Sequence, residues 1–260
     1  MDFLVCPPER EYFDFSDPEK HNIEERASER DAKRQHEALR RALVSGGCGI
    51  RELAELSGHP NSVFTRDPAL VLTEGYIRLR MGLESRRGEE EWIADKLESL
   101  GMESVGSVRH GTAEGGDMVR AENTVFVGLS SRTSREGASE VASMLGPLGY
   151  DIRKVKVPER YLHLGGAMSY LGRGLLLCTD DIYDKDLFRD FDALIVDSAD
   201  FVSGNVICAG MAVIADERNL VALEKLNEAG IKTISLDLSE FIKGRGGPSC
   251  LVLPLGTRYI

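Results

Sequence analysis

The sequence of 260 residues lacks the cysteine patterns that mark a disulfide framework or a structural zinc site. It contains five cysteines, an odd number, and they are widely separated, without a Cys-x-x-Cys pair or a Cys/His ligand spacing. Both features disfavour paired disulfides and a zinc cluster. Four of the thiols are interpreted as small apolar residues, namely Cys6, Cys48, Cys178 and Cys208.

Long apolar runs and basic clusters are missing as well. No stretch approaches the roughly 18 apolar residues that a membrane span needs, and the acidic start Met1-Asp2 does not resemble a secretory signal. Lysine and arginine are interleaved with more numerous acidic residues, and the formal net charge of −11 argues against a nucleic-acid partner. We therefore expect a cytoplasmic protein without membrane or nucleic-acid partners, whose charge favours a small cationic ligand.

The apolar pattern predicts an α/β fold in which β-hairpins alternate with helices. Apolar positions at helical spacing predict helices over 23–43, 89–100, 134–145, 184–190 and 217–229. Pairs of apolar runs separated by a turn are typical of hairpins, and they occur at 69–72 with 76–79, 117–120 with 124–127, 167–171 with 175–178, and 206–209 with 211–214.

The order of hairpin, helix and strand recurs with a period of roughly 45 to 50 residues, which is the range of structural repeats. Such repeats indicate a closed ring of α/β units whose loops converge on one central site. No linker interrupts the chain, so residues 1–260 are predicted to form a single catalytic domain. The segment 6–22 is predicted to be an ordered loop that closes over this site.

Chemically active side chains occur beside turn glycines or at strand ends, far apart in sequence. Cys250 closes a Gly-Gly-Pro-Ser-Cys turn before an apolar run, and His163 lies between two leucines. Asp67 stands in an Asp-Pro turn, and Glu114 begins a Glu-Gly-Gly-Asp segment. Together they are typical of nucleophilic catalysis on a cationic carbon centre. Taken singly, a buried cysteine, a core histidine and two turn carboxylates remain the alternative interpretation.

These segments resemble the guanidino-group-modifying superfamily of arginine deiminases, amidinotransferases and dimethylarginine dimethylaminohydrolases. The resemblance runs from about Asn61 to the C-terminus. It rests on segments 64–68 (Phe-Thr-Arg-Asp-Pro), 85–89 (Ser-Arg-Arg-Gly-Glu), 114–117 (Glu-Gly-Gly-Asp) and 128–133 (Gly-Leu-Ser-Ser-Arg-Thr), and on His163 and Cys250. It implies a five-bladed α/β propeller of ββαβ repeats around a central active site.

The resemblance also implies a role for each residue. Cys250 is the expected nucleophile, and His163 the expected acid and base. Asp67 and Glu114 are expected to hold the substrate guanidinium, since planar N–H groups suit carboxylates. The remaining expectations are that Asp117 pairs with amides of the Gly115-Gly116 turn, that Arg86 and Arg132 bind the substrate carboxylate, and that Asn61 also binds substrate.

Two departures from the family patterns bear on the substrate. Arginine deiminases carry an aspartate two residues after the histidine, where this sequence has Gly165, and its loss leaves room for N-methyl groups. The length of the chain also favours the dimethylaminohydrolases. In the opposite direction, Asn61 and Arg66 stand where dimethylaminohydrolases usually carry acidic residues.

The resulting expectation is a cofactor-free and metal-free hydrolase. It cleaves a C–N bond of a methylated arginine through a covalent Cys250 thiouronium and yields citrulline plus dimethylamine or methylamine. The alternatives are a compact arginine deiminase that releases ammonia, an amidinotransferase, and a non-enzymatic paralogue that only binds arginine. The sequence leaves open whether the chain is a monomer or a homodimer.

Overall fold

The computed structural model describes residues 1–256, which form five three-stranded sheets arranged around a centre. The strands are β1 (Asp2–Val5), β2 (Gly49–Glu52), β3 (Ala69–Val71), β4 (Tyr76–Arg78), β5 (Ser104–Ser107), β6 (Met118–Ala121), β7 (Thr124–Leu129), β8 (Asp151–Lys156), β9 (Met168–Gly172), β10 (Leu175–Thr179), β11 (Asp192–Val196), β12 (Ile207–Ala209), β13 (Ala212–Asp216), β14 (Thr233–Leu236) and β15 (Leu253–Pro254). The helices are α1 (Arg10–Phe13), α2 (Glu29–Ser45), α3 (Glu89–Ser99), α4 (Arg135–Leu145), α5 (Leu164–Ala167), α6 (Leu220–Glu228) and α7 (Ser239–Ile242).

Each sheet is one blade, built from an antiparallel pair and a third strand that runs parallel to the middle one. Four blades follow the chain in order, as β3-β4-β5, β6-β7-β8, β9-β10-β11 and β12-β13-β14. Their antiparallel pairs are the four predicted hairpins. The fifth blade, β15-β1-β2, joins the two ends of the described chain. The predicted five-bladed α/β propeller is therefore confirmed.

Four of the five predicted helices form, with shifted ends. Helix α2 starts six residues later than predicted, because the amides of Glu24 and Glu25 donate to the carbonyl of Lys243 instead of entering a helix. Helix α4 starts as predicted, since the Ser134 hydroxyl accepts from the Gly137 amide. In α6 the Asn219 side chain caps the first turn, so the helix begins at Leu220 rather than at 217.

The predicted helix over 184–190 is wrong. In the third blade this segment consists of turns, and the Asp184 carboxylate accepts from the amides of Asp186 and Leu187. A short polar side chain that bonds its own backbone favours a turn over a continuing helix. Of the helices within residues 1–256, none has the length and apolar character required to cross a bilayer.

A buried cluster between α2, α7 and the first strand includes a histidine that is held neutral. His36 is 1% exposed and packs beside the Phe241 ring, and its Nε2 has no partner within residues 1–256. Burial, reinforced by the charge of Arg40, lowers the pKa of His36 to about 3. The usual pKa of an exposed histidine is about 6.5. Between pH 6.5 and pH 3 the unfolded chain therefore binds one more proton at this histidine than the folded chain does.

We predict that His36 makes the folded state sensitive to acid. Its contribution is complete above pH 6.5 and is lost as the pH falls towards 3, by about 1.4 kcal/mol per pH unit. Urea unfolding of the wild type and of His36→Leu between pH 6.5 and 4 tests this, and the wild type should lose stability more steeply. Equal slopes for the two proteins would contradict the prediction.

Candidate active site

Four of the predicted site residues occupy equivalent places in four different blades. Asp67 precedes β3, Glu114 precedes β6, His163 precedes β9 through α5, and Cys250 precedes β15. The strands that follow these residues are edge strands of their blades. Such edge strands contact one another around the centre, β15 with β3, β6 with β9, and β9 with β12. Residues separated by nearly two hundred positions are thereby brought to the same end of the propeller.

They meet at a cavity of about 300 Å³. Its lining includes the predicted residues Asn61, Asp67, Arg86, Arg132, His163 and Cys250. Glu114 is absent from the lining because it is fully buried behind His163. The structure thus assembles every predicted site residue in or directly behind one cavity.

His163 and Glu114 form a buried ion pair, with His163 Nε2 2.6 Å from Glu114 Oε2. The other carboxylate oxygen accepts from the Gly82 amide at 2.7 Å and lies 3.6 Å from Arg132 Nη1. Burial alone lowers the pKa of His163, but the charge of Asp67 and the bond to Glu114 outweigh it and raise the pKa above 6.5. The same pairing holds the pKa of Glu114 below its usual value despite burial. His163 is consequently an imidazolium at neutral pH.

Asp67 is fixed through both carboxylate oxygens. Oδ1 accepts from the Gly116 amide at 3.1 Å, and Oδ2 accepts from Arg86 Nη1 at 2.6 Å. The Gly115 amide donates to the Asp67 carbonyl at 2.7 Å. The glycine turn therefore binds Asp67, and the expectation for Asp117 is wrong. Asp117 instead accepts from the Leu164 amide beside His163 and from the Ser130 hydroxyl, which orders the loop carrying Arg132.

Arg86 is buried, with most of its donors engaged. Nε and Nη2 contact Glu89 at 2.6 to 3.1 Å, and Nη2 also donates to the Phe64 carbonyl at 3.1 Å. Nη1 donates to Asp67. Sequence reasoning missed Glu89, although its position three residues after Arg86 at the start of a predicted helix places the two within ion-pair reach. That Arg86 binds a substrate carboxylate stays a prediction.

Cys250 is half-buried at the cavity wall, in a 3₁₀ turn over Pro248–Leu251. Burial, followed by the charge of Asp67, raises the pKa of its thiol to about 12. The neighbouring Ser249 amide donates to Asn205 Oδ1 at 2.9 Å, so the fourth blade holds the turn in place. Asn205 carried no signal in the sequence. Burial and the charge of Asp67 therefore favour the neutral thiol form of Cys250.

The proposed closing loop reaches the cavity only at its end. His21 and Asn22 line the cavity. His21 ends a 3₁₀ turn over Glu19–His21, and α1 lies earlier in the same segment. His21 was assigned no role from the sequence. Within the described residues, His21 Nδ1 and Asn61 Oδ1 are buried polar atoms without a hydrogen-bond partner. Both are available to a bound molecule.

Three of these side chains also have the spacing of a metal site. Asp67, Glu114 and His163 each offer a ligand atom within 4.8 Å of the others. The histidine nitrogen nearest Glu114 is already committed to the ion pair, and an imidazolium does not coordinate a metal. The expectation of a metal-free site stays a prediction.

Gly116 allows the site to pack. A Cβ atom there would lie 2.7 Å from His163 Nδ1 and 2.8 Å from Asp67 Oδ1. We predict that Gly116→Ala lowers turnover about 100-fold by displacing both side chains. Gly146→Ala is the matched control, since a Cβ at this position meets nothing within 4 Å. Steady-state rates and far-UV spectra of both variants test this, and an active Gly116→Ala enzyme would contradict it.

Comparison with known proteins places the chain and its fold in a family. The family model described as "N,N dimethylarginine dimethylhydrolase, eukaryotic" matches residues 14–203, and that described as "Arginine deiminase" matches 196–256. The chain is 32% identical to a dimethylarginine dimethylaminohydrolase of Pseudomonas aeruginosa, over 85% of this chain and 87% of the relative. It is 26% identical to an arginine deiminase of Latilactobacillus sakei, over 76% and 62% of the two chains.

A solved structure gives the same assignment. A cysteine-to-serine mutant of the Pseudomonas aeruginosa dimethylaminohydrolase, complexed with citrulline, superposes with a TM-score of 0.84 and 28% identity. The match covers 97% of this chain and 98% of that one. The chain therefore belongs to the dimethylarginine dimethylaminohydrolase family of the guanidino-group-modifying superfamily, and it is an amidine-hydrolysing enzyme.

Proposed function

We propose that this enzyme hydrolyses an N-methylated arginine to citrulline and dimethylamine or methylamine. The observation that carries the proposal is the convergence of Cys250, Asp67 and the His163–Glu114 pair on one small cavity. A thiol nucleophile, an acid and a pair of carboxylates are the groups that this reaction requires.

Substrate binding supplies the missing charge for nucleophile activation. The guanidinium binds against Asp67, a buried carboxylate that lines the cavity and suits N–H donors, while the expected direct contact with Glu114 is replaced by its bond to His163. Its positive charge next to Cys250 stabilises the thiolate that burial and Asp67 disfavour in the empty site. The nucleophile therefore forms when a cationic substrate is present to be attacked.

Bond formation and cleavage then follow in two stages. The thiol proton of Cys250 passes to solvent, Sγ attacks the guanidinium carbon, and the C–N bond breaks as the His163 imidazolium donates a proton to the departing amine. A covalent thiouronium remains. The now neutral His163 removes a proton from water and the resulting hydroxide attacks the same carbon. The C–S bond then breaks to release citrulline, and the proton of the added hydroxyl passes to Sγ to regenerate the thiol. Glu114 favours the protonated state of His163 at the start of each cycle.

The rest of the cavity suits the amino-acid end of such a substrate. Arg132 makes one ion-pair contact within residues 1–256, at 3.6 Å to Glu114, so its guanidinium can also bind a carboxylate. The unpaired Asn61 Oδ1 is an acceptor for an ammonium group. Arg86 retains one Nη1 hydrogen beyond its bonds to Glu89, Phe64 and Asp67.

Gly165 is the main argument for a methylated substrate. A Cβ here would lie 3.0 Å from the Gly116 carbonyl and 3.8 Å from Ser249 Oγ, between the turn that binds Asp67 and the turn that carries Cys250. The carboxylate found at this position in arginine deiminases would begin between these two turns. Its loss removes a partner for unsubstituted guanidinium nitrogens, and this supports a substrate whose terminal nitrogen carries methyl groups.

A compact arginine deiminase is the second candidate. It is favoured by the arginine deiminase match over residues 196–256, and by Arg66, which departs from the acidic residue usual in dimethylaminohydrolases. Amidino transfer shares the covalent step and differs in whether an amine or water attacks the thiouronium. A paralogue that binds arginine without turnover would not form the covalent adduct.

Citrulline formation from arginine and from asymmetric dimethylarginine, measured side by side, decides among these candidates. We expect the methylated substrate to be turned over and Cys250→Ala to be inactive, while Cys208→Ala retains activity as the matched thiol control. Citrulline from arginine alone would establish a deiminase. Citrulline from neither substrate would contradict the proposed function.

We further predict that Glu114 controls the charge of His163. In Glu114→Gln the carboxylate partner is replaced by a neutral amide, so the pKa of His163 should fall by about 1 to 3 pH units. NMR titration of the labelled imidazole in both proteins measures this. Turnover of the variant should decline on raising the pH at a lower value than in the wild type, because the acid form is lost earlier. An unchanged His163 pKa would contradict the prediction.

A further inference from the structure

The Glu89 carboxylate accepts hydrogen bonds from the Nε and Nη2 groups of Arg86 and forms an ion pair with it. This carboxylate is fully buried at the first residue of α3, and its oxygens accept from Arg86 Nε at 2.9 and 3.1 Å and from Nη2 at 2.6 Å. The Phe64 carbonyl accepts the other Nη2 hydrogen at 3.1 Å. A planar fork held on two edges has a fixed plane and a fixed direction for Nη1.

That Nη1 group points at the proposed guanidinium-binding carboxylate. It donates to Asp67 Oδ2 at 2.6 Å, while the Gly116 amide donates to Oδ1 at 3.1 Å. Asp67 is 2% exposed and lines the cavity. Its orientation therefore depends on Arg86, and the orientation of Arg86 depends on Glu89.

We propose that Glu89 is a positioning residue of the reaction, which acts through Arg86 to aim the Asp67 carboxylate at the substrate guanidinium. This rests on the proposed function, which assigns Asp67 to that group. Arg86 then also acts on the guanidinium end of the substrate through Asp67, beside the carboxylate contact that its remaining Nη1 hydrogen allows. Removing the Glu89 charge leaves Arg86 free to rotate with Asp67, and the guanidinium carbon is then presented poorly to Cys250.

The two roles of Arg86 can be separated with a probe that has no carboxylate. Chloroacetamidine is a small amidinium whose CH₂–Cl carbon is attacked by a thiol, so that an S–C bond forms, chloride leaves and the thiol proton passes to solvent. Its amidinium can bind Asp67 as a guanidinium does. Loss of a carboxylate clamp would not change its rate of reaction with Cys250, whereas loss of Asp67 alignment would.

Glu89→Gln is compared with Glu90→Gln, a matched control one residue along the same helix. Glu90 is also buried, but its oxygens accept from the amides of Met81 at 2.8 Å and Gly88 at 2.7 Å. Both variants exchange one buried carboxylate for an amide. We expect chloroacetamidine to label Cys250 about 10- to 100-fold more slowly in Glu89→Gln, and at close to the wild-type rate in Glu90→Gln.

A double-variant comparison tests whether Glu89 acts through Arg86. In an Arg86→Lys background, adding Glu89→Gln should produce little further loss, because the fork that transmits the effect is already gone. Independent, multiplying losses would overturn the proposal. If Glu89→Gln does not fold by its unfolding curve, Glu89→Asp retains the charge but not the reach, and the same slow labelling is expected.

The remaining outcomes are distinct. Labelling of Cys250 in the wild type with an equal rate in Glu89→Gln would overturn the positioning role while leaving the proposed function intact. Slower turnover of methylated arginine with unchanged chloroacetamidine labelling would also overturn it, and would assign Arg86 to the substrate carboxylate. Absence of labelling in the wild type would instead contradict the proposed function itself.

Discussion

A pocket for a cationic group needs carboxylates that are buried and yet remain ionised, and the rest of this structure depends on meeting that demand. Burial favours the neutral acid, so each carboxylate must have a fixed cationic or N–H partner. Asp67 has Arg86 and a glycine amide, and Glu114 has the His163 imidazolium and the Gly82 amide. These partners compensate the charge of each buried carboxylate.

The same charges set the resting state of the catalytic groups. The carboxylates around His163 keep it protonated, and Asp67 together with burial keeps Cys250 as a thiol. An imidazolium and a thiol at rest mean that the acid for the first step is ready, whereas the nucleophile awaits a positive charge. In the proposed reaction the substrate supplies that charge, so selectivity for cations and activation of the nucleophile have one origin.

The propeller fold makes this arrangement possible by bringing one loop from each blade to the centre. The first, second, third and fifth blades contribute Asp67, Glu114, His163 and Cys250, respectively. The remaining blade, β12-β13-β14, contributes Asn205, which holds the turn of the nucleophile. Contact between loops is close enough that Gly116 has no space for a side chain beside His163 and Asp67. Because each loop is anchored to a strand of its own blade, these short contacts do not rely on flexible segments.

Local features of the fold were largely predictable from the residues, whereas the five-bladed architecture followed from the repeat and the family resemblance and not from local signals. The hairpins and most helices follow from apolar periodicity and turn residues, as at Ser134, whose hydroxyl caps α4. The failed helix over 184–190 reflects side-chain bonding by Asp184, which periodicity does not register. The pairing of β1 with β2 and β15 joins segments from both ends of the chain and has no local signal.

The sequence by itself determined the chemistry available to the site, since the residue types, the turns that present them and their order along the chain are local properties. It identified Cys250, His163, Asp67 and Glu114 as a set. Tertiary structure determined which of these residues form hydrogen bonds and ion pairs with one another. The ion pair between Glu89 and Arg86 and the raised pKa of Cys250 depend on burial and on charges that are distant in sequence. Both arise only when the blades have folded against one another.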